Sequence, residues 1–269
     1  MIRTVSGIIY LVLVIGSLFL GKYVYGIVFL LTGIMALVEF YDITGYSGSK
    51  HFVLTGIFAS AGIFILSFLV ASGLTGYRFL ALASVIPIIM LIMALYSSKP
   101  DVIKTMAMLV LGILYVMFPL SLMNYLVFPA SNNFEYTHRI LLGILALVWI
   151  NDTGAYLTGT LFGRHKLFPR ISPKKSWEGV LGGTILTLLP AWWMDNLMGI
   201  LNGFHWLCLA SIVVVFGVYG DLTESLIKRN AGMKDSGTIM PGHGGALDRI
   251  DSILFVIPLS FIYLIINGL

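Results

Sequence analysis

The sequence predicts an all-α polytopic membrane protein, with about nine transmembrane helices and a polar cavity that faces the cytoplasm. Composition predicts the membrane, because 58% of the 269 residues are hydrophobic and only 10% are charged. The apolar stretches recur along the whole chain, which is typical of a polytopic protein and not of a single anchor. The cavity is predicted because nearly every cluster of polar residues falls after residue 139.

The helices are predicted from the apolar stretches. A helix needs about 20 apolar residues to cross the hydrocarbon core, and nine stretches come close to that length. The first stretch has no small-residue cleavage site, so we expect it to be retained and not removed as a signal peptide. The predicted spans are 4–20, 24–40, 52–72, 77–96, 105–128, 140–161, 179–198, 204–219 and 250–266.

The basic residues predict the orientation. With the N-terminus inside, only Lys22, Arg78 and Arg139 of the 16 Lys and Arg residues fall on the outer side. Cytoplasmic loops carry the excess of positive charge, so the polar loops 162–178 and 225–249 are expected to face the cytoplasm from the plasma (inner) membrane. Basic loops near anionic lipid explain the net charge of +4 without nucleic acid.

The chain divides into two predicted halves. Residues 1–138 have short connections with few polar groups and are predicted to form a transmembrane scaffold, whereas 139–269 form the working half. No internal repeat stands out, which disfavours transporter folds built from duplicated halves. Cys208 is the single cysteine and lies in an apolar run, which excludes an internal disulfide and a thiolate metal cluster.

Polar residues interrupt the sixth span and its following loop. Asp152, with its neighbour Asn151, is an acid well inside a span, and such an acid is expected to face a cavity or a partner; the alternative is a hydrogen-bond cluster that only packs the bundle. In the loop, Ser172 before Pro173 predicts a helix N-cap, where free amides beside Lys174 and Lys175 would attract phosphate. The alternative is a basic loop that binds only lipid headgroups.

The residues that follow this loop have two interpretations. Glu178, between the lysines and an apolar helix, is expected either to form a structural ion pair or to face a metal. Gly179 and Gly183 form a small-xxx-small pair, which favours close packing of two helices.

Acids cluster at the ends of the eighth and ninth spans. Asp221, Glu224, Ser225 and Lys228 share one helical face, and Asp248 and Asp251 repeat the same spacing. If the two helix ends converge, three carboxylates would meet, and they could not all stay ionised without a cation. Oxygen ligands favour Mg²⁺ or Mn²⁺. The alternative is a salt-bridge network with the basic residues Lys228, Arg229 and Arg249.

The glycine-rich turn 241–245 leads into the ninth span. Its bare backbone amides could approach a phosphate. Flanking basic residues make this interpretation more specific for a polyphosphate; they are Lys228, Arg229, Lys234 and Arg249.

One motif connects these residues, S-x-x-K-R-x4-K-D-x-G-x3-P-x-H-G-G-x2-D-R-x-D. It is present as Ser225, Lys228, Arg229, Lys234, Asp235, Gly237, Pro241, His243, Gly244, Gly245, Asp248, Arg249 and Asp251. With 151–156 and 172–179, it resembles the phosphatidate cytidylyltransferases, also called CDP-diacylglycerol synthases. The resemblance covers most of the second half and little of the first. Met240 and Ala246 differ from the usual aliphatic residues but remain apolar.

The resemblance implies transfer of a cytidylyl group from CTP to phosphatidic acid in the lipid bilayer. It implies that Asp221, Asp248 and Asp251 hold Mg²⁺ or Mn²⁺, with a second cation and a homodimer left open. His243, Gly244 and Gly245 would orient the triphosphate. The implied cations for phosphate binding are Lys174, Lys175, Lys228, Arg229, Lys234 and Arg249, and the implied substrate-binding or cavity-wall residues are Asn151, Asp152, Ser172, Glu178, Ser225 and Asp235.

Two other functions stay open at this point. An ion-coupled transporter would also bury acids in its spans, although it would rarely need so many cations beside glycines in one loop. A CTP-dependent lipid kinase would attack the γ-phosphate and release CDP, whereas the transferase would release pyrophosphate.

Overall fold

The computed structural model describes residues 2–45, 50–98, 101–233, 236–237 and 244–269. The first half contains α1 (Ile2–Phe19), α2 (Lys22–Ile43), α3 (Lys50–Ala71), a 3₁₀ helix (Tyr77–Ser84), α4 (Val85–Leu95), α5 (Val102–Gly112), a π turn (Ile113–Met117), α6 (Phe118–Val127) and a second 3₁₀ turn (Ala130–Asn132). The second half contains α7 (Arg139–Phe162), β1 (Lys166–Phe168), β2 (Ser172–Ser176), α8 (Trp177–Ala191), α9 (Met194–Met198), α10 (Gly203–Asn230) and α11 (Leu247–Ile266).

Seven helical segments in the described parts of the chain are long and apolar enough to cross a membrane. They are Lys22–Ile43, Lys50–Ala71, Tyr77–Leu95, Val102–Asn132, Arg139–Phe162, Gly203–Asn230 and Leu247–Ile266. The all-α polytopic class is therefore confirmed. Of the two other predicted spans, the stretch 179–198 is not among the seven, and within 4–20 the fully described residues give the shorter apolar helix Ile9–Phe19.

The stretch 179–198 is not one continuous helix. Helix α8 has 15 residues and ends at Ala191, and the short helix α9 begins only at Met194. Pro190 stands one residue before the end of α8 and cannot donate a helical hydrogen bond. An apolar run therefore predicted more helix than the backbone forms.

Buried hydrogen bonds join the helices of the first half. Tyr41 Oη donates to Leu109 O at 3.1 Å, and Ser67 Oγ donates to Ser121 O at 2.6 Å. Each bond links helices that are distant in sequence, and each satisfies a polar group that lipid could not. Helix α11 packs against α6 and α2 as well as α10, so the two predicted halves share an interface.

Glycines allow the second-half helices to approach closely. A Cβ on Gly183 of α8 would lie 2.9 Å from the Asn151 carbonyl oxygen of α7, and a Cβ on Gly179 would lie 2.8 Å from Ala155 O. The predicted close packing at this glycine pair is confirmed. On α10, a Cβ on Gly220 would lie 2.5 Å from the carbonyl oxygen of Asp251 on α11. The two acid-bearing helix ends therefore converge, as predicted.

The predicted N-cap at Ser172 is wrong. Ser172–Ser176 forms strand β2, which pairs antiparallel with β1 through Lys166 opposite Ser176 and Phe168 opposite Ser172. The N-cap of helix α8 lies four residues later, at Ser176, whose Oγ accepts from Gly179 N at 3.2 Å. Pro173 pushes the residue before it into extended backbone, and the pairing with β1 continues that conformation. Lys174 and Lys175 therefore lie on a strand, not in the first turn of a helix.

Candidate functional site

A polar hollow of about 640 Å³ lies between α7, α8, α10, α11 and strand β2. Side chains of opposite charge line it together. The charged lining residues are Asp152, Asp221, Asp248, Asp251, Lys166, Lys174 and Lys175. All but Lys166 were predicted as site residues, so sequences 70 or more residues apart meet in one cavity.

Another cavity, of about 530 Å³, lies among helices of the first half and α11. Its lining is apolar apart from Ser67, Ser121 and Tyr125. Its described lining contains no Lys, Arg, His, Asp or Glu. The polar hollow is therefore the better candidate for binding a phosphorylated substrate.

Asp221 and Asp251 form one wall of the hollow. Lys175 Nζ lies 2.6 Å from Asp221 Oδ2, with a quarter of the lysine side chain exposed. Asp251 Oδ1 accepts a hydrogen bond from the amide of Ser252 at 2.6 Å. The charges of Asp221 and Asp152 act on Asp251, and Lys175 is the cation that opposes them. This wall has an excess of negative charge and carboxylate oxygens directed into the cavity.

Asp248 has a different environment, although it is one turn from Asp251. Its Oδ1 lies 2.5 Å from Lys228 Nζ. Its Oδ2 accepts from Gly245 N at 2.7 Å and from Ser236 through Oγ at 2.8 Å and N at 3.1 Å. Both oxygens are engaged with protein donors. The salt-bridge interpretation therefore describes Asp248, and the Gly245 amide donates to Asp248 instead of being free for a phosphate.

Lys228 connects Asp248 to a second buried acid. Its Nζ lies 2.5 Å from Glu224 Oε2, and Glu224 is 1% exposed. Within the described residues, no three or more His, Cys, Asp and Glu side chains are grouped so that they could hold a metal. The three predicted metal ligands share one cavity but differ in their donors among the described residues. Asp248 has four donors, Asp221 has two, Lys175 Nζ and Ser225 Oγ, and Asp251 has one, the amide of Ser252. Asp221 and Asp251 therefore keep more oxygen lone pairs for a cation than Asp248 does.

Glu178 lies outside the hollow. Its carboxylate accepts from the amides of Arg164 and His165 at 3.1 to 3.2 Å, and His165 Nδ1 lies 2.6 Å from Oε1. These donors, with the His165 side chain first, lower the pKa of Glu178 to about 2. Glu178 therefore closes the loop before β1, and it forms the predicted structural ion pair when His165 is protonated. It does not lie in the wall of the hollow, where the resemblance had placed it.

The remaining predicted residues have several locations. Ser225 Oγ donates to Asp221 Oδ1 at 3.3 Å, and Asn151 lines the hollow from α7. Arg229 is exposed and donates to Met233 O at 3.1 Å. Gly244 has φ +81°, a conformation that favours glycine, and a Cβ there would collide with Asp248 Oδ2. Arg249 lies in the first turn of α11, Ser172 lies on β2, and Lys234, Asp235 and His243 lie outside the described residues.

Glu39 of α2 is a site residue that the sequence interpretation missed. It is 4% exposed, and its carboxylate accepts from the amides of Ala246 at 2.9 Å and Leu247 at 2.8 Å. These amides begin α11, the helix that carries Asp248 and Asp251. A signal was present, because an acid inside an apolar span is expected to serve a function. That reasoning was used for Asp152 but not for Glu39.

Comparisons with known proteins agree with this geometry. The model of the cytidylyltransferase family matches residues 1–267. A phosphatidate cytidylyltransferase of Haemophilus influenzae is 45% identical over 141 residues, 48% of this chain and 49% of that protein. One of Staphylococcus epidermidis is 48% identical over 128 residues, 47% of this chain and 49% of that protein. These two alignments thus span about half the length of each relative.

A third relative aligns from end to end. The phosphatidate cytidylyltransferase of Staphylococcus aureus (strain COL) is 33% identical over 267 residues, which are 98% of this chain and 98% of that protein. The first half of the chain, where no motif pointed to a function, is therefore included in the similarity. The chain belongs to the cytidylyltransferase family, and the relatives it matches are phosphatidate cytidylyltransferases.

Proposed function

We propose that this membrane enzyme transfers a cytidylyl group from CTP to phosphatidic acid, giving CDP-diacylglycerol and pyrophosphate. The observation that supports this function best is the polar hollow, where three lysines and four carboxylates meet beside apolar helices. A nucleotide needs the charged groups and a lipid needs the apolar surroundings. The names of the relatives that align over nearly all or about half of their length support the same substrates.

The reaction needs little acid–base chemistry from the protein. The second pKa of a phosphate monoester is about 6, so the lipid phosphate is already largely a dianion. One of its oxygens attacks the α-phosphorus of CTP, the bond from that phosphorus to the bridging oxygen breaks, and pyrophosphate leaves with the electron pair. The protein must bring two anions together and stabilise the charge that moves to the leaving group.

Lysines of the β hairpin are suited to this task. Lys166, Lys174 and Lys175 line the hollow from β1 and β2. Lys175 is already paired with Asp221 at 2.6 Å, and the exposed Lys174 beside it has more freedom to meet an incoming phosphate. We infer that these three lysines bind the substrate phosphates. The basic residues of the motif would bind phosphate with them, namely Lys228, Arg229, Lys234 and Arg249.

The carboxylates fit a divalent cation. Asp221 and Asp251 offer only oxygen ligands, the type that Mg²⁺ and Mn²⁺ prefer, and their repulsion favours a positive charge between them. Asp248 would complete the predicted set by exchanging one of its protein donors for the cation. A divalent cation would neutralise charge on the CTP phosphates.

The proposed topology places the hollow on the cytoplasmic side of the inner membrane, with nine crossings and the N-terminus inside. Helices α1 and α8 would supply the two crossings beyond the seven long ones. At the far end of α8, Trp192 and Trp193 are both more than half exposed, and tryptophan is enriched at membrane interfaces. The basic hairpin lies at the opposite end of α8. A homodimer remains open.

The test follows the label on CTP. Purified protein in detergent is incubated with phosphatidic acid, Mg²⁺ and CTP labelled at either the α- or the γ-phosphate. We expect lipid to acquire the α label and pyrophosphate to carry the γ label. Transfer of the γ label to lipid would instead establish a kinase. No CTP consumption at all, with transport of an ion in vesicles, would contradict the proposal in favour of a transporter.

A further inference from the structure

Glu39 joins the first half of the chain to the catalytic helix. Its Oε1 accepts from Ala246 N at 2.9 Å, its Oε2 accepts from Leu247 N at 2.8 Å, and Oε2 also lies 3.1 Å from Ser236 Oγ. Both oxygens are therefore used, and the donors lie about 200 residues away in sequence. All are at the start of α11 or in the segment before it.

The start of α11 needs such a partner. The first amides of a helix have no acceptor within the helix, and Ala246 at the N-cap position has no side chain that could accept from them. Glu39 supplies a carboxylate from α2 instead. A negative charge is favoured there by the helix dipole, and its burial keeps solvent from weakening the interaction.

The same contacts extend to Asp248. Ser236 Oγ lies within hydrogen-bond distance of both Glu39 Oε2 and Asp248 Oδ2, and Gly245 N donates to Asp248. Glu39 and Asp248 therefore both contact Ser236, and each accepts from backbone amides at or just before the start of α11. Two glycines allow this, because a Cβ on Gly237 would lie 2.6 Å from Glu39 Oε1 and a Cβ on Gly245 would collide with Glu39 Oε2.

We propose that Glu39 is a positioning residue for cytidylyl transfer. It fixes the first turn of α11 so that Asp248 keeps its donors and Asp251, one turn further, faces the hollow. This inference rests on the proposed function. It gives the first half of the chain a role in the site, whereas a purely structural anchor would stabilise the fold and leave turnover of the folded enzyme unchanged.

The test compares Glu39→Gln with Asp42→Asn in the full-length protein. Glutamine keeps the size of the side chain, but its NH₂ group would face a backbone N–H that needs an acceptor. Asp42 is an exposed acid three residues further along α2, so its variant removes the same charge without touching α11. Each protein is purified in detergent, and kcat and KM for CTP are measured on the monodisperse fraction only.

We expect Glu39→Gln to lower kcat about tenfold or more, because one hydrogen bond to a charged group is worth at least that factor. KM for CTP should change less. Hydrogen exchange of the peptide containing Ala246 and Leu247 should become faster. Asp42→Asn should match the wild type in both measurements. A Glu39→Gln variant with wild-type kcat, or with unchanged exchange at these amides, would overturn the inference.

A second variant covers the case in which Glu39→Gln does not fold. Gly237→Ala pushes a Cβ against Glu39 from the loop side, so it should show the same lower kcat and faster exchange, and wild-type behaviour would again overturn the inference. Failure of the proposed function is separate. It would appear as a wild-type protein that forms no CDP-diacylglycerol, while the exchange comparison would still report whether Glu39 holds α11.

Discussion

Asp248 and Asp251 stand one turn apart on α11, yet their surroundings differ. Asp248 has Lys228 on one oxygen and donors from Ser236 and Gly245 on the other. Asp251 has the Ser252 amide and lies in the field of Asp221 and Asp152. The first acid is stabilised by protein donors, and the second is surrounded by like charge. We therefore propose a structural role for Asp248 and a ligand-binding role for Asp251, although both are aspartates on one helix.

This difference shows how the surroundings of a buried acid decide whether it stabilises or destabilises the folded state. A buried acid that is fully hydrogen-bonded contributes to the folded state, and its removal leaves its partners unpaired. An acid held beside other acids destabilises the folded state until a cation binds. Activity and stability should therefore respond differently to the same Asp→Asn change at the two positions.

The largest effect on turnover is expected for Asp251→Asn and Asp221→Asn. Each should lower kcat by about 10³-fold, the upper range for loss of one group that stabilises charge in a transition state. Each should leave the thermal unfolding temperature in detergent unchanged or raised, because an amide relieves repulsion between carboxylates. The comparison would fail if either variant unfolded at lower temperature than the wild type without CTP and Mg²⁺.

Asp248→Asn should lower stability more, and turnover less, than the changes at Asp221 and Asp251. We expect a loss of about 3 kcal/mol in the free energy of unfolding, at the low end for a broken buried pair because Glu224 still contacts Lys228. Turnover should fall about 100-fold as the start of α11 loosens. Asp101→Asn is the matched control, since this acid is exposed and does not line the hollow. A stable but inactive Asp248→Asn protein would make Asp248 a cation ligand like Asp251.

A smaller effect is expected for substitutions of the lysines on β2. The change in KM for CTP should differ between the neighbours Lys174 and Lys175. Lys175→Met removes the partner of Asp221 and should raise KM for CTP about tenfold, the effect of losing one charge-assisted contact. Lys174→Met, at an exposed position on the same strand, should raise KM only a few-fold. Equal effects, measured by steady-state kinetics over a range of CTP, would argue that the Lys175–Asp221 pair is incidental.

The smallest effect on turnover is expected where helices pack. Gly183→Ala forces a Cβ to within 2.9 Å of Asn151 O and should cost about 1 to 3 kcal/mol of stability, as overpacking does. Turnover should fall only a few-fold because no charged group is lost. Gly62→Ala on α3, where a Cβ meets nothing within 4 Å, should be neutral or slightly stabilising. Thermal unfolding in detergent measures both.

The membrane helices were predictable because they depend on local composition. Long apolar runs can satisfy their backbone groups in lipid only as helices, so α2, α3, α7, α10 and α11 followed directly. The ends of the helices were harder to predict from the sequence. Pro190 ends α8 inside an apolar run, and Ser176 caps it although Ser172 with Pro173 had the better local pattern. The pairing of β2 with β1 keeps Ser172 in a strand, and this pairing cannot be read from the local sequence.

The site was predictable as a set of residues but not as a set of bonds. Spacing along two predicted helices, together with the expected convergence of their ends, brought Asp221, Asp248 and Asp251 into a single prediction, and they do line one hollow. Lys228 pairs with both Glu224 and Asp248, and Asp248 takes further donors from Ser236 and Gly245. Ser236 in turn lies 3.1 Å from Glu39, a contact between the two halves of the chain that no local pattern contains. Glu39 was missed for the same reason, since its partners lie in the other half of the chain.

The central claim is that Asp221 and Asp251, and not the saturated Asp248, form the primary cation site of the hollow. Anomalous scattering from crystals grown with Mn²⁺ and CTP tests this most directly. We predict a peak at coordination distance, about 2.0 to 2.2 Å, from carboxylate oxygens of both Asp221 and Asp251, with the CTP phosphates as further ligands. Absence of a peak in the hollow, or a peak held by Asp248 with neither of the other two, would contradict it.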